Sequence, residues 1–287
     1  MNFIPRQSAG RMRPQLIIAL VIAVMGIIGY LSKRDVNPVT NETQYVAMNP
    51  KQEIALGLQA APQMAAEMGG EVPTSDPRAA IVAQVGGHIV QSSDAGKAES
   101  PYRENFRFHL LQDPETINAF ALPGGQIFIT VGLYSKLQNE SQLAGVLGHE
   151  IGHVIHRHAS EHMAKGQLGG MLATAVGVGA SDERGHGYSA AVLAQVANQM
   201  IQLKFSRKDE SESDAYGIKY IVQAGYDPRG MLGVMQILKE ASKGARGPSF
   251  MMSHPLPDDR LQEIAARIKE MFPSGIPKEL SEGRPLP

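Results

Sequence analysis

Cysteine and tryptophan are both absent from this 287-residue chain, and aromatic residues make up only 6% of it. Without cysteine there is no disulfide scaffold, no thiol catalysis and no thiolate-based zinc or iron–sulfur site, so any metal must be held by histidine and carboxylates. A charge of one dominant sign is lacking too. Lys and Arg number 27 against 28 Asp and Glu, for a formal net charge of -1, and this balance prepares no surface for nucleic acid. The scarcity of aromatics beside 43% hydrophobic content and 14 Met points to helices packed on Ala, Leu and Met, and the apolar share excludes a disordered or fibrous chain. Histidine is present in quantity, with nine residues.

The neutral total hides a local asymmetry. Arg6, Arg11 and Arg13 precede an apolar run from Leu16 to Leu31. As a helix this run spans roughly 26 Å, enough for one membrane pass with slight thinning of the bilayer. It is longer than the apolar part of a typical secretory signal, and no clear Ala-x-Ala site follows it, so an uncleaved anchor is expected over residues 14–32. The basic residues before it place segment 1–13 in the cytoplasm and the bulk of the protein outside, although Lys33 and Arg34 weaken the asymmetry. The expected location is a cell inner membrane, crossed once, with the rest of the chain on the periplasmic side.

Residues 33–48 are polar and interrupted by Pro38, which reads as a linker. Folding is expected over residues 49–272. Asn49-Pro50 and Asp76-Pro77 each open a helical pattern, with a capping residue followed by proline at the first helical position. Phe106–Gln112 reads as a strand, and Pro123-Gly124-Gly125 turns into a second apolar strand, QIFITV. Helices are expected over Glu140–Ser160, Ser189–Gly225, Pro228–Lys243 and Pro257–Met271, and an extended tail over 273–287. The small-residue stretch Leu168–Ala180 is too short for a second span. The fold class is therefore α+β, mainly helical with a small sheet, plus one N-terminal transmembrane helix.

Four of the nine histidines fall in the run GHEIGHVIHRH, and two form His149-Glu150-Ile151-Gly152-His153. Four residues apart on a helix, the imidazoles of His149 and His153 share a face and can bind one Zn²⁺. Glu150 is placed to accept a proton from a water that the metal acidifies. A third ligand must come from elsewhere, because Glu161 would lie about 12 Å along the same helix from His153. Glu210 and Asp214 share one face of a later helix, whereas Glu212 points away. Glu210 is assigned as the third ligand, and Asp214 as the carboxylate that orients a ligand imidazole. Arg207 and Arg260 are expected to pair with buried carboxylates. His156, His158 and His162 lie too far along the helix to join that zinc, and His88, His109 and His186 have no supporting pattern.

Taken in order, Asn118-Ala119-Phe120 with Pro123-Gly124-Gly125, the His149–His153 motif, Arg157-His158, Ser206-Arg207-x-x-Glu210-x-x-Ser213-Asp214, and Ser253-His254-Pro255 with Arg260 form a pattern that resembles the gluzincin zinc metallopeptidases of the Ste CAAX protease, HtpX, OMA and BepA type. The resemblance covers about Asn49 to Met271 and implies a zincin-like metalloprotease domain with one zinc per chain and protein or peptide substrates. Ser213 stands where alanine is commoner, and a single N-terminal span is unlike HtpX or the prenyl proteases, which disfavours CAAX processing. The resemblance also implies that Gly124–Gly132 is the edge strand along which substrate lies, an ordinary core strand being the alternative from periodicity alone. It places His254 by the cleft, to stabilise an oxyanion or to occupy the fourth zinc position at rest. The function expected is a membrane-anchored endopeptidase acting on misfolded or misassembled envelope proteins, with a non-proteolytic chaperone or assembly factor as the alternative.

Overall fold

The computed structural model describes residues 14–176, 203–243, 248–255 and 259–287. Segment 1–13, residues 177–180 of the small-residue stretch, His186, the first part of the helix expected from Ser189, and Pro257 lie outside the described residues.

Helix α1 (Pro14–Leu31) packs against α6 (His158–Val176) and leaves apolar side chains exposed along its length, Met25 and Ile28 among the most exposed. Side chains of α1 are described only from Ile17 onward, and over the described residues no helix is long and apolar enough to cross a membrane. The segment expected to be a free linker is folded. Strands β1 (Arg34–Val36) and β2 (Thr43–Tyr45) form an antiparallel hairpin. The buried Asn37 and Gln44 side chains donate to the carbonyls of Ile155 and His156, which docks the hairpin on the core.

Helix α2 (Pro50–Glu67) opens with a reciprocal capping box between Asn49 and Gln52, and α3 (Pro77–Ser92) with Asp76 accepting from Arg78 N, each with proline in the first turn. A 3₁₀ turn (Asp94–Gly96) follows α3. The main sheet has the order β3 (Arg107–Leu111), β5 (Gln126–Thr130), β4 (Ala119–Leu122), with β3 parallel and β4 antiparallel to β5. This corrects the edge-strand expectation: QIFIT is central and wholly buried, and β4 is an edge. Its continuous apolar run fits a strand covered on both faces. The β4–β5 turn needs glycine at position 124, where φ is 82° and a Cβ would come within 2.4 Å of Ile54 Cα in α2.

A short helix α4 (Val131–Tyr134) leads into α5 (Glu140–Ile155), every residue of which is buried. The single helix expected over Glu140–Ser160 is in fact two. Arg157 adopts φ 58° and turns the chain into α6. Its guanidinium, almost fully buried, donates to Glu53, Asp35 and the carbonyl of Met48, and these contacts hold a conformation unusual for a residue with a Cβ. Helix α7 (Arg207–Gln223) begins with a capping box between Ser206 and Asp209. Helices α8 (Arg229–Ala241), α9 (Phe250–Ser253) and α10 (Arg260–Met271) complete the domain. The tail is pinned: the Arg284 side chain pairs with Glu140 at 2.7 Å, and Ser281 bridges to Tyr226.

The approach of α5 to α7 decides where the site residues meet. A Cβ on Gly152 would sit 3.0 Å from Ser213 Cα, one on Gly148 2.8 Å from the Ile221 side chain, and one on Gly217 3.0 Å from His149 N. Small residues on both faces bring the two backbones into contact, so the carboxylates of α7 arrive directly beside the histidines of α5.

Candidate metal centre

His149 and His153 project from α5, Glu210 and Asp214 from the first turns of α7, and His254 from the end of α9. One ligand atom each from His149, His153, Glu210 and His254 lies within 4.8 Å of the others, and all four residues are buried. The structure thus brings together the residues singled out from sequence, His254 among them.

The arrangement fits a divalent metal. Asp214 Oδ1 lies 2.9 Å from His149 Nδ1. A carboxylate paired with Arg260 can only accept, so His149 carries its proton on Nδ1 and presents a lone pair at Nε2. His153 Nε2 is 3.0 Å from that atom, and the Glu210 oxygens lie 3.3 Å from His153 Nε2 and 3.6 Å from His149 Nε2. Ligands of a tetrahedral zinc are spaced about 3.3 Å apart. These atoms crowd together as they would around a shared cation. Both carboxylate oxygens of Glu150, and His254 Nε2, are buried without a hydrogen-bond partner, polar atoms that water or substrate at a metal would satisfy.

Arg260 governs the electrostatics. Its guanidinium forks onto Asp214 at 2.7 and 2.8 Å and reaches Glu210 Oε2 at 2.6 Å. Burial would raise the Asp214 carboxyl, but the Arg260 charge holds it below its ordinary value. Glu210 likewise resists burial: the His254 charge, hydrogen bonds from His153 and His254, and Arg260 keep it well below the usual range. Glu150 has no such partner, and burial pushes it up. Burial also drives His153 well below its ordinary value, which favours the neutral ring that a metal requires. His254 moves the other way, because the charges of Glu210 and Glu150 outweigh its burial. It lies 2.9 Å from Glu210 through Nδ1 and 3.7 Å from Glu150 through Nε2.

One expectation is corrected here. Arg207 is exposed, and none of the ion pairs found among the described residues includes it. His158 stays outside the ligand cluster, as expected, although the turn at Arg157 brings its Nδ1 to 2.9 Å from His153 Nδ1, the ring nitrogen away from the cluster. Phe205 was not anticipated either. Its ring centroid is 4.0 Å from that of His153 and 5.2 Å from that of His254, and it forms a wall of the centre. No spacing rule marks a lone aromatic that precedes a helix cap.

A small pocket between β4 and the metal centre is lined by Ala121, Leu122, Pro123, His153, Val154 and Phe205. The sequence model of peptidase family M48 matches residues 83–268, and this span holds all of the site residues. The chain belongs to that family. It is 34% identical over 188 residues to the Beta-barrel assembly-enhancing protease of Escherichia coli, a match covering 63% of this chain and 37% of the relative. It is 27% identical over 263 residues to the mitochondrial metalloendopeptidase OMA1 of Schizosaccharomyces pombe, covering 90% of this chain and 73% of the relative. The Metalloprotease YcaL of Escherichia coli is 29% identical over 164 residues, or 57% of this chain and 62% of the relative. The chain therefore spans little more than a third of the length of the assembly-enhancing proteases it matches.

Replacing Asp214 by Asn keeps the shape of the side chain and removes the anionic acceptor from His149. Zinc affinity, measured by competition with a chromogenic chelator, is expected to fall about 10- to 100-fold. An unchanged affinity would show that Asp214 does not orient the ligand.

Proposed function

We propose that the chain is a membrane-anchored zinc endopeptidase that hydrolyses peptide bonds of misfolded or misassembled envelope proteins. The observation that carries this reading is the placement of Glu150, buried and without a hydrogen-bond partner, beside the His149, His153 and Glu210 cluster. A purely structural metal site needs no free carboxylate there. Zinc held by those three residues would acidify water and polarise a peptide carbonyl. Glu150, whose pKa burial raises, accepts the proton as water attacks and delivers it to the departing amine. Asp214 and Arg260 keep His149 in the tautomer that offers Nε2. The substrate backbone extends the sheet at the edge of β4, which fixes the scissile bond without demanding a particular sequence.

The domain that performs this chemistry is assigned to residues 49–272. Anchoring rests on α1, whose apolar side chains from Ile17 onward are largely exposed among the described residues. The basic residues before it favour an inner-membrane orientation with the peptidase domain in the periplasm. An envelope substrate accords with the name of the assembly-enhancing relatives. His254 is read as the resting fourth ligand that excludes water. Its ring lies inside the ligand cluster, and it is carried by a four-residue helix, which can move more easily than α5 or α7. A non-proteolytic chaperone of the same fold would follow if that cap were permanent.

The general-base role predicts that Glu150→Gln keeps its zinc and loses casein cleavage by about 10²- to 10⁴-fold; equal cleavage by both proteins would remove Glu150 from that role. The cap predicts that His254→Ala cleaves faster than the parent at rest, whereas lost activity would indicate a direct part in catalysis. For the anchor, alkaline carbonate washing should leave the full chain in the membrane pellet and release a variant lacking residues 14–31. Release of both would refute the span.

A further inference from the structure

Beyond the three assigned ligands, the α5–α6 corner gathers a second set of donors. His156 closes α5 and is fully buried, with neither ring nitrogen hydrogen-bonded. His158 opens α6, equally buried, and its ring stacks on that of His156 with centroids 5.4 Å apart. Glu212, on the face of α7 turned away from Glu210, comes within 3.3 Å of His158 Nε2. One ligand atom from each of these three residues lies within 4.8 Å of the other two. From the opposite side the β1–β2 hairpin brings Glu42 Oε2 to 3.6 Å from His156 Nδ1. Two carboxylates and two imidazoles thus converge from four separate elements, with Tyr216 against the His156 ring at 4.2 Å as an aromatic wall.

We propose that His156, His158 and Glu212, closed by Glu42, form a second site for a divalent transition metal of the zinc class. Two imidazoles and two carboxylates suit zinc better than calcium or magnesium, which take oxygen shells. Closure from spacings of up to 4.8 Å to the roughly 3.3 Å of a tetrahedral metal takes about 1.5 Å, a movement within the reach of two glutamate side chains that retain solvent contact. The burial of Glu42 and the charge of Glu212 already raise the Glu42 carboxyl, so the two anions meet at a cost that a cation would relieve. Lys208 lies 3.1 Å from Glu212 and serves as its present counter-charge. On a strongly exposed stem, it can swing into solvent when a metal enters.

The site lies next to the first. A metal on His158 Nε2 places the ring proton on Nδ1, 2.9 Å from His153 Nδ1. That atom also carries a proton when His153 ligates through Nε2. Two donors then face each other. Occupancy of the second site therefore weakens the first, and by linkage the reverse. This coupling, unlike the site itself, rests on the reading of His149, His153 and Glu210 as zinc ligands.

The test is metal content by mass spectrometry of the full chain in detergent micelles, equilibrated at controlled free zinc. The parent should bind one equivalent tightly and a second at higher free zinc. Glu212→Gln and His156→Ala should retain only the tight one, and His149→Ala only the weaker one. Glu212→Gln changes a partly exposed side chain of the same size, so it separates loss of a ligand from loss of fold, which circular dichroism checks. Chelator extraction of the tight zinc should be about 5- to 150-fold easier once the second site is filled, and independent of added zinc in Glu212→Gln. A single equivalent in the parent at every free-zinc level, or a second equivalent retained by both variants, would overturn the site. Retention of the tight equivalent in His149→Ala, with the weaker one still lost in Glu212→Gln, would instead overturn the first site's ligand assignment.

Discussion

Everything in the centre depends on burying charge where α5 and α7 touch. Glu150, Glu210 and Asp214 are each no more than 2% exposed, and Arg260 is the guanidinium among them. With neutral imidazoles, three carboxylates face one cation and leave two negative charges in a medium that solvates them poorly. A divalent metal supplies the missing charge. The glycine contact between the helices and the metal are thus two sides of one constraint. The carboxylates are nearly inaccessible to bulk solvent, so a small, multiply charged cation suits them best.

The same constraint explains why much of the site was legible in the sequence. A metal that must touch two side chains of one helix fixes their spacing at four, as in His149 and His153. A second helix packed at glycine distance must present its acid on its contact face, as Glu210 and Asp214 do and Glu212 does not. What the sequence concealed depends on long-range partners. Nothing local marks Arg157 as a residue with positive φ, because Asp35, Glu53 and the Met48 carbonyl impose that conformation from far along the chain. Missing that turn joined α5 to α6 and hid the contact between His158 and His153. The central place of β5 was open for a similar reason: an apolar run records that both faces are covered, and strand order is set by pairings between distant segments.

Arg157 also ties the N-terminal segments to the core. Through Asp35 it holds the hairpin that follows α1, and through Glu53 the first turn of α2, where Glu53 also accepts from the Tyr102 hydroxyl. Asn37 and Gln44 bind the carbonyls at the end of α5, two residues past His153 and beyond. The chain that leaves α1 is thereby attached to the C-terminal end of the metal-bearing helix, with no free tether between them. With α1 in a bilayer, the metal centre would stand at a set height and orientation above it, and the reach of the peptidase would be that of its substrates.

A rigid, buried centre raises the question of entry. His149 and His153 are no more than 4% exposed, and both belong to a helix buried along its whole length. Glu210 is fixed by Arg260 and by the cap of α7. His254 is held differently: its ring stacks on Phe250 with centroids 4.3 Å apart, and its N–H donates to the Phe250 carbonyl, both contacts within its own short helix. Its links to the rest of the centre are polar ones to Glu210 and His149 and a ring contact with Phe205. The small pocket beside β4 reaches His153 and Phe205, the ring that also lies against His254.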